Sequence, residues 1–264
     1  MTACACEHCG HEFEAEPERG HHITCGDSLN ILPALLDQIG ALITDPPYGI
    51  GFNYDQHNDS PDGYGAWLWS IIESAEALCA PGSPVFVWQA SLNIRKFAEW
   101  FPRDWRLFCA AKNFVQMRPT AMQYAYDPVI VWWKQGAKPW SAKKHEGSVS
   151  RDWHIADTAS TLAKSDLLEK KHPCPRPADQ VAYILRQWCP PDQIVLDPFG
   201  GSGTTIIAGE MASRAVHVIE ISPAYCDIAV RRWSKFTGRA AVLADDGRTF
   251  DEVAAHRRPE QAVA

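Results

Sequence analysis

The segment Asp45-Pro46-Pro47-Tyr48 combines a carboxylate, two prolines and an aromatic ring directly after the apolar residues 41–44. Asp45 offers a side-chain oxygen and Pro46 a backbone carbonyl held by a stiff Pro-Pro segment. Two such acceptors could bind both N–H groups of an exocyclic amine. Tyr48 offers an aromatic face on which a nucleic acid base could stack, a contact worth about 1–3 kcal/mol. The segment, Pro47 included, therefore predicts a catalytic site that acts on a base amine, with a plain turn as the alternative.

A glycine-rich turn, Asp197-Pro198-Phe199-Gly200-Gly201-Ser202-Gly203-Thr204-Thr205, follows a second apolar run at residues 193–196. Its glycines allow a ligand to approach the backbone, and it leads into a predicted helix whose first N–H groups could bind that ligand. A Walker phosphate loop would need a lysine before the Ser/Thr, and a dinucleotide fingerprint would need G-x-G-x-x-G; neither is present. An acid inside the turn suits a cationic ligand better, and Asp197 could hold an ammonium group such as that of S-adenosylmethionine.

The strand after this turn is predicted to end at Glu220, 23 residues beyond Asp197. A carboxylate at the end of this second strand is well placed to accept hydrogen bonds from two ribose hydroxyls. We therefore predict that the turn residues 197–205, together with Glu220 and Ile221, bind the cofactor.

Strand and helix patterns alternate around both motifs. The predicted strands are residues 21–25, 41–44, 84–88, 107–115, 128–133, 193–196 and 215–220, and the predicted helices are residues 29–39, 66–79, 94–101, 178–188, 204–212 and 223–236. This alternation predicts an α/β fold with a mostly parallel sheet covered on both faces. Because such sheets bind ligands at the carboxyl ends of their strands, we expect the two motifs to meet at one sheet edge.

Length and composition limit the architecture and the location of the protein. The 264 residues, 46% of them apolar, suffice for one large α/β domain with or without a small module. No apolar run reaches transmembrane length and the N-terminus lacks a signal-peptide pattern, so we expect a cytoplasmic protein. The net charge is −7, yet residues 134–176 hold nine Lys/Arg against five Asp/Glu. This local positive charge predicts a DNA-binding face, with a solvated loop as the alternative.

The two motifs, in this order, resemble the amino-methylating DNA methyltransferases of the β (permuted) arrangement, in which the catalytic motif precedes the cofactor motif. Other elements add to the resemblance: Cys25-Gly26-Asp27-Ser28, the strand at 129–134, His172-Pro173-Cys174-Pro175-Arg176-Pro177, and residues 217–225. Arg176 stands where the family usually has lysine, a change that keeps the charge but alters its geometry.

The resemblance implies a Rossmann-like, mostly parallel seven-stranded sheet of the permuted methyltransferase type. It also implies S-adenosylmethionine as cofactor and a target base flipped out of double-stranded DNA. An aspartate at position 45 favours direct in-line methylation at N6 of adenine. The alternatives are N4 of cytosine and, less favoured, a non-catalytic DNA-binding module. The resemblance adds Asp27, Asp45, His172 and Arg176 to the cofactor-binding residues, and a homodimer and a cognate restriction endonuclease are candidate partners.

The family pattern divides the chain into an N-terminal tail or knuckle (1–20), a catalytic half (21–134), a target recognition insertion (135–171) and a cofactor-binding half (172–264). The basic residues expected to contact DNA are Lys134, Lys138, Lys143, Lys144, Arg151 and Lys164. The residues whose spacing suggests a structural zinc site are Cys6, Cys9, His22 and Cys25, with a metal-free tail as the alternative.

Overall fold

The computed structural model describes residues 12–14, 20–35, 39–51, 59–60, 62–113, 125–142, 150–156 and 177–257. The strands are β1 (Glu12–Glu14), β2 (His22–Cys25), β3 (Ile39–Thr44), β4 (Pro84–Trp88), β5 (Arg106–Lys112), β6 (Tyr126–Trp133), β7 (Trp153–Ala156), β8 (Ile194–Asp197), β9 (Val216–Glu220) and β10 (Val242–Leu243). The helices are α1 (Ser28–Ile31), α2 (Tyr64–Leu78), α3 (Phe97–Trp100), α4 (Ala178–Trp188), α5 (Thr204–Ala212), α6 (Pro223–Thr237) and α7 (Phe250–Arg257).

All of these strands join one sheet in the order β10-β1-β2-β9-β8-β3-β4-β6-β5-β7. The neighbours β2, β9, β8, β3 and β4 run parallel, so their carboxyl ends lie at the same edge of the sheet. β6 is antiparallel to both β4 and β5, so β5 again runs in the direction of β4. The seven strands from β2 to β5 in this order form the predicted α/β unit, and the predicted fold class is confirmed.

Three short strands extend the sheet beyond the predicted seven. β1 and β10 add antiparallel pairings at one edge, and β7 pairs parallel to β5 at the other. β1 and β10 contain three and two residues, which is too short for an alternating pattern to be recognised. β7 lies within residues 135–171, where the sequence shows no clear period. The predicted strand number was therefore too low.

Helices cover both faces of the sheet, and the sheet separates two hydrophobic cores. Helices α4, α5 and α6 cover one face, named here the α4 face, whose core includes Ile43 and Trp88. Helices α1, α2 and α3 cover the other face, whose core includes Leu42 and Val87. All six residues of β3 are buried, as expected for a central strand covered on both sides. Among the described residues, none of the helices combines the length and apolarity needed to cross a bilayer.

The predicted helix at residues 29–39 does not continue as one α-helix. α1 is four residues long and is followed by a 3-10 helix, Leu32–Ala34. Pro33 lies in this 3-10 segment, and proline lacks the N–H that would continue the α-helical hydrogen bonds. The predicted helix at 94–101 is likewise divided, into the 3-10 helix Ser91–Lys96 and α3.

Candidate active site

The ends of β3 and β8 bring the two sequence motifs together. These strands are parallel neighbours in which Leu42 pairs with Leu196, so the residues that follow them lie side by side. The Thr44 hydroxyl donates a hydrogen bond of 2.7 Å to Oδ1 of Asp197. The Asp-Pro-Pro-Tyr segment and the glycine turn therefore share one edge of the sheet.

Within the first motif, the Tyr48 hydroxyl donates a hydrogen bond of 2.6 Å to Oδ1 of Asp45. Both side chains are half-buried, and Tyr48 packs against the core of the α4 face. A carboxylate has about four lone-pair positions, so this bond does not exhaust the acceptor capacity of Asp45. The tyrosine hydroxyl thus fixes the direction of the carboxylate.

Buried polar side chains hold the backbone of this segment. The Tyr64 hydroxyl donates to the carbonyl of Pro47, and Nε2 of Gln89 donates to the Tyr64 hydroxyl at 2.7 Å. Nδ2 of Asn93 donates to the carbonyl of Tyr48 at 2.8 Å. Because Tyr64, Gln89 and Asn93 are all buried, these bonds are shielded from water and fix the turn that carries Asp45.

Asp59 supports the residues that follow the segment. Its side chain is 1% exposed and accepts hydrogen bonds from the backbone N–H groups of Gly49, at 2.6 Å, and Ile50, at 3.0 Å. Its carbonyl accepts from the N–H of Gly51 at 2.8 Å. Gly49 has a φ of +66°, and a Cβ there would lie 2.5 Å from the Tyr64 ring, so a larger residue would be strained and would clash.

Asp197 is the buried centre of the second motif, with 3% exposure. Its Oδ1 accepts from Thr44 and, at 3.0 Å, from the N–H of Phe199, while Oδ2 accepts from the Thr205 hydroxyl at 2.5 Å. Burial raises the pKa of Asp197 to about 6; the hydrogen bonds oppose this rise and the negative charge of Asp45 adds to it. Asp197 therefore connects β3, the turn and α5, a role that the sequence did not predict.

Two glycines of the turn sit where a side chain would collide. Gly203 has a φ of +79°, and a Cβ there would lie 2.6 Å from Cβ of Ala229 in α6. At Gly200 a Cβ would lie 3.0 Å from Cβ of Val218 in β9. The turn thus packs closely against both elements and ends at α5, whose first N–H groups lack intrahelical partners.

Glu220 ends β9 beside the turn. Its Oε2 accepts from the N–H of Gly201 at 2.7 Å, and Oε1 accepts from the N–H of Ser222 at 2.8 Å. Burial raises the pKa of Glu220 to about 7, against the lowering effect of these backbone donors. The two bonds leave the carboxylate able to accept others.

The remaining turn residues are anchored to both layers of helices. The Phe199 ring meets the Trp67 ring of α2 edge-on, with the centroids 5.6 Å apart. Nη1 of Arg232 in α6 donates to the carbonyl and the hydroxyl of Ser202, at 2.5 and 2.6 Å. Thr204 begins α5, and Ile221, after Glu220, is 44% exposed.

The segment Gly26-Asp27-Ser28 reaches the turn from β2. The N–H of Gly26 donates to the carbonyl of Glu220 at 2.9 Å, and the Ser28 hydroxyl donates to the carbonyl of Pro198 at 2.5 Å. Asp27 is exposed and caps α1 by accepting a backbone hydrogen bond of 2.9 Å. Capping already accounts for an aspartate at this position, so its cofactor contact stays a prediction.

Comparison with known proteins shows which family has these features. A family model described as DNA methylase, of the N6/N4 class, matches residues 39–231 and so spans both motifs and Glu220. The chain belongs to this family of DNA methylases. The predicted amino-methylating DNA methyltransferase family is confirmed, without a distinction between N6 of adenine and N4 of cytosine.

Two curated relatives of this methylase are named type II methyltransferases. M.BglII of Bacillus subtilis is 25% identical, and the match covers 77% of this chain and 66% of the relative. M.ScaI of Streptomyces caespitosus is 23% identical, and the match covers 78% of this chain and 79% of the relative. The chain thus spans slightly less than two thirds of the length of M.BglII.

Solved structures confirm the fold of the methylase. The M1.HpyAVI–SAM complex has a TM-score of 0.63 and 22% identity, covering 80% of this chain and 98% of that one. The PvuII DNA methyltransferase, described as cytosine-N4-specific, has a TM-score of 0.64 and 19% identity, covering 88% and 89%.

Two of the basic residues predicted to bind DNA lie at the opposite edge of the sheet. Because β6 is antiparallel to β4, Lys134 follows β6 at the edge where β4 begins. Its Nζ donates to the carbonyls of Ala77 and Cys79, at 2.9 and 2.6 Å, at the end of α2. Lys138 lies at the same edge, because its backbone carbonyl is close to Gly82, which precedes β4; a Cβ at Gly82 would be 3.1 Å from that carbonyl oxygen. Lys134 therefore interacts with a helix terminus, and DNA contact by Lys134 and Lys138 stays a prediction.

Arg151 precedes β7 and is exposed. Its guanidinium lies 5.2 Å from the ring centroid of Trp153, and its N–H donates to the Tyr183 hydroxyl at 3.0 Å. The carboxyl end of β7, rather than Arg151, points to the catalytic edge, because β7 is parallel to β5. The other predicted site residues Lys143, Lys144, Lys164, His172 and Arg176 lie outside the described residues.

The structure gives no support to the predicted zinc ligands that it describes. His22 and Cys25 are three residues apart in β2, so their side chains point to opposite faces of the sheet and cannot share an ion. Cys25 is buried, and the His22 ring lies 5.5 Å from that of His217. Cys6 and Cys9 lie outside the described residues, and within the described ranges no group of three or more His, Cys, Asp or Glu could hold a metal.

The support from Asp59 leads to a test. We expect Asp59→Ala to lower turnover about a hundredfold, because the buried N–H of Gly49 and the partly buried N–H of Ile50 lose their acceptor and the catalytic segment shifts. Initial rates of methyl transfer with saturating cofactor measure this effect. Asp62→Ala, which removes a nearby exposed carboxylate, serves as the matched control. Equal turnover in the two variants would show that Asp59 does not position the segment.

The buried carboxylates predict a pH dependence of stability. The pKa values of Asp197 and Glu220, about 6 and about 7, lie above their ordinary values of 3.8 and 4.5. The stabilisation from neutral carboxyls is therefore complete below the ordinary values and is lost as pH rises through the folded values. We expect these two carboxyls to lower the melting temperature of the ligand-free chain as pH rises from about 4 to about 7.

Glu220→Gln should reduce the slope of this fall, whereas Glu73→Gln, at an exposed position, should leave it unchanged. Calorimetric melting at several pH values measures both slopes. Parallel curves for wild type and Glu220→Gln would exclude Glu220 as a source of the dependence.

Proposed function

We propose that this methylase transfers a methyl group from S-adenosylmethionine to the N6 amine of an adenine flipped out of double-stranded DNA. The observation that carries the proposal is the hydrogen bond between Thr44 and Asp197, which joins the end of the catalytic strand to the cofactor turn. A site built from both motifs can hold a methyl donor against an amine. That arrangement is what direct in-line transfer requires.

The turn suits S-adenosylmethionine, which when bound supplies a methyl group on a positively charged sulfur. Asp197 and Glu220 are buried carboxylates whose pKa values are raised by burial, and a nearby cation would favour their charged forms. We propose that Glu220 accepts the ribose hydroxyls and that Asp197 attracts the ammonium group. The neighbour M1.HpyAVI, solved as a SAM complex, supports this choice of cofactor.

At the catalytic segment, we propose that Asp45 and the carbonyl of Pro46 accept the two N–H groups of the amine. Buried side chains already donate to the carbonyls of Pro47 and Tyr48, whereas none of the described residues donates to that of Pro46. When the methyl group is transferred, the C–S electron pair would stay on the sulfur, which leaves as a neutral thioether. Positive charge would then develop on the amine nitrogen until its proton is released to solvent. The carboxylate of Asp45, fixed by Tyr48, stabilises that charge.

The N4 amine of cytosine is the second candidate. The structural neighbour PvuII DNA methyltransferase is described as cytosine-N4-specific. An N4 amine presents the same pair of N–H groups, so Asp45 and Pro46 could serve either base.

The experiment that tests the proposal identifies the methylated nucleoside. The purified chain is incubated with S-adenosylmethionine and DNA from a strain without amino-methylation, and the digested nucleosides are analysed by mass spectrometry. N6-methyladenine is the expected product, and N4-methylcytosine would select the second candidate. Absence of both would contradict the function. Long-read sequencing of the same DNA then maps the target site.

We further propose that the basic region 135–171 contacts the DNA around that site, between the catalytic and cofactor-binding halves. The relatives M.BglII and M.ScaI are named type II methyltransferases, which supports a partner restriction endonuclease acting at the same site.

A further inference from the structure

An ion pair lies at the same sheet edge as Asp45. Nζ of Lys112, the last residue of β5, is 2.8 Å from Oδ2 of Asp127, the second residue of β6. Lys112 is 22% exposed and Asp127 20%, so the pair is partly removed from water but can still be reached. The proposed reaction assigns it no role.

Strand register places this pair on the same side of the sheet as Asp45. Side chains alternate between faces along a strand. Ala110 and Val129 belong to the core of the α4 face. Lys112, two residues after Ala110, and Asp127, two before Val129, therefore project from that face. Asp45 directly follows β3 and lies two residues after Ile43, which belongs to the same core.

The end of β4 separates Asp45 from the pair. The N–H of Gln89, just beyond β4, donates to the carbonyl of Pro128 at 3.1 Å, so Asp127 lies further towards the catalytic edge. Neighbouring strands are about 4.8 Å apart, so two strand spacings, about 10 Å, separate the backbones of Asp45 and Asp127, and three, about 14 Å, separate those of Asp45 and Lys112. A flat base could lie between side chains that extend from both positions.

Electrostatics connect the two carboxylates. Burial raises the pKa of Asp127, the Lys112 ammonium lowers it, and the negative charge of Asp45 raises it further. When an ion pair is partly buried, the free energy lost by removing its hydration often exceeds the attraction between the charges. A contribution to stability therefore does not explain why the pair is present. A cation beside a catalytic carboxylate instead suits recognition of a polar ligand.

We propose that Lys112, held in place by Asp127, determines base specificity by donating a hydrogen bond to the ring nitrogen next to the target amine. In adenine that atom is N1, and in cytosine it is N3; both are acceptors. The amine of guanine lies between an N–H at N1, which an ammonium donor cannot bind, and the acceptor N3, which is on the opposite side of the amine from the matching position in adenine and cytosine. An ammonium has three donors, so the bond to Asp127 leaves donors for the base. The inference rests on the proposed function.

The test compares two duplexes that contain the mapped target site, with adenine or with 1-deazaadenine at the target position. For adenine we expect Lys112→Met to lower kcat/KM about 10- to 100-fold. For 1-deazaadenine, which lacks the acceptor, we expect Lys112→Met and wild type to have equal kcat/KM. The hydrogen bond is already absent with this base, so removing the lysine has no further effect. Lys235→Met, at an exposed lysine near the end of α6, should match wild type on both. For a cytosine target, 3-deazacytosine takes the same place.

An equal loss on both duplexes would show that the ion pair is only structural, and it would overturn the inference. Calorimetric binding of S-adenosylmethionine verifies that the variants fold. If Lys112→Met does not fold, Lys112→Arg and Asp127→Asn are measured in its place. The kcat/KM values of wild type on the two duplexes then still decide the test. Equal kcat/KM of wild type on adenine and 1-deazaadenine would contradict the bond. Failure of wild type to methylate any DNA would instead contradict the proposed function.

Discussion

An Asp45→Ala variant is expected to transfer methyl groups about a hundred to a thousand times more slowly than wild type, with S-adenosylmethionine bound almost as well. Removing one preorganised group that stabilises developing charge typically has an effect of this size. The substitution also leaves the Tyr48 hydroxyl without its acceptor. Asp45→Asn restores an acceptor but not the charge, so its rate should lie between those of wild type and the alanine variant.

Single-turnover rates with saturating cofactor, together with calorimetric titration of the cofactor, separate transfer from binding. Asp104→Ala removes an exposed carboxylate after α3 and should behave as wild type in both measurements. A wild-type transfer rate in Asp45→Ala would refute the assigned role. If the variant lost only its affinity for the cofactor, Asp45 would instead be a cofactor-binding residue.

An Asp197→Ala variant is expected to lose both cofactor binding and stability. The substitution removes the acceptor of Thr44, Phe199 and Thr205 at once. Each buried donor without a partner costs about 1–3 kcal/mol. For a chain of this size, the melting temperature should then fall by roughly 10 °C. The comparison is made near pH 5, where the raised pKa of Asp197 keeps most of the carboxyl neutral in wild type.

Asp197→Asn separates the two effects, because the amide keeps an acceptor oxygen but carries no charge. We expect it to melt within a few degrees of wild type while binding S-adenosylmethionine at least about tenfold more weakly. Calorimetry measures both quantities. Wild-type affinity in the asparagine variant would show that the charge of Asp197 does not attract the cofactor.

The central strands were predictable because their apolar runs end abruptly. Residues 41–44 and 193–196 end at Asp-Pro sequences, and their carboxyl ends agree with those of β3 and β8 to within one residue. Parallel strands place such ends at one edge, so the meeting of the two motifs followed from pattern and topology alone.

The supporting residues were not predictable, because their roles come from contacts distant in sequence. Asn93 bonds to Tyr48 across 45 positions, and Thr44 bonds to Asp197 across 153. A lone polar residue at the end of an otherwise apolar strand was the one available signal for Thr44. The position of Lys134 was not predictable either, because charge counting does not reveal strand direction, and the antiparallel β6 carries it to the opposite edge.

A crystal structure of the chain with S-adenosylmethionine tests most directly whether donor and acceptor share one site. We predict density for the ribose at Glu220, with the sulfonium methyl directed towards Asp45. A cofactor bound elsewhere, or one whose methyl group faces away from Asp45 behind packed side chains, would contradict the account.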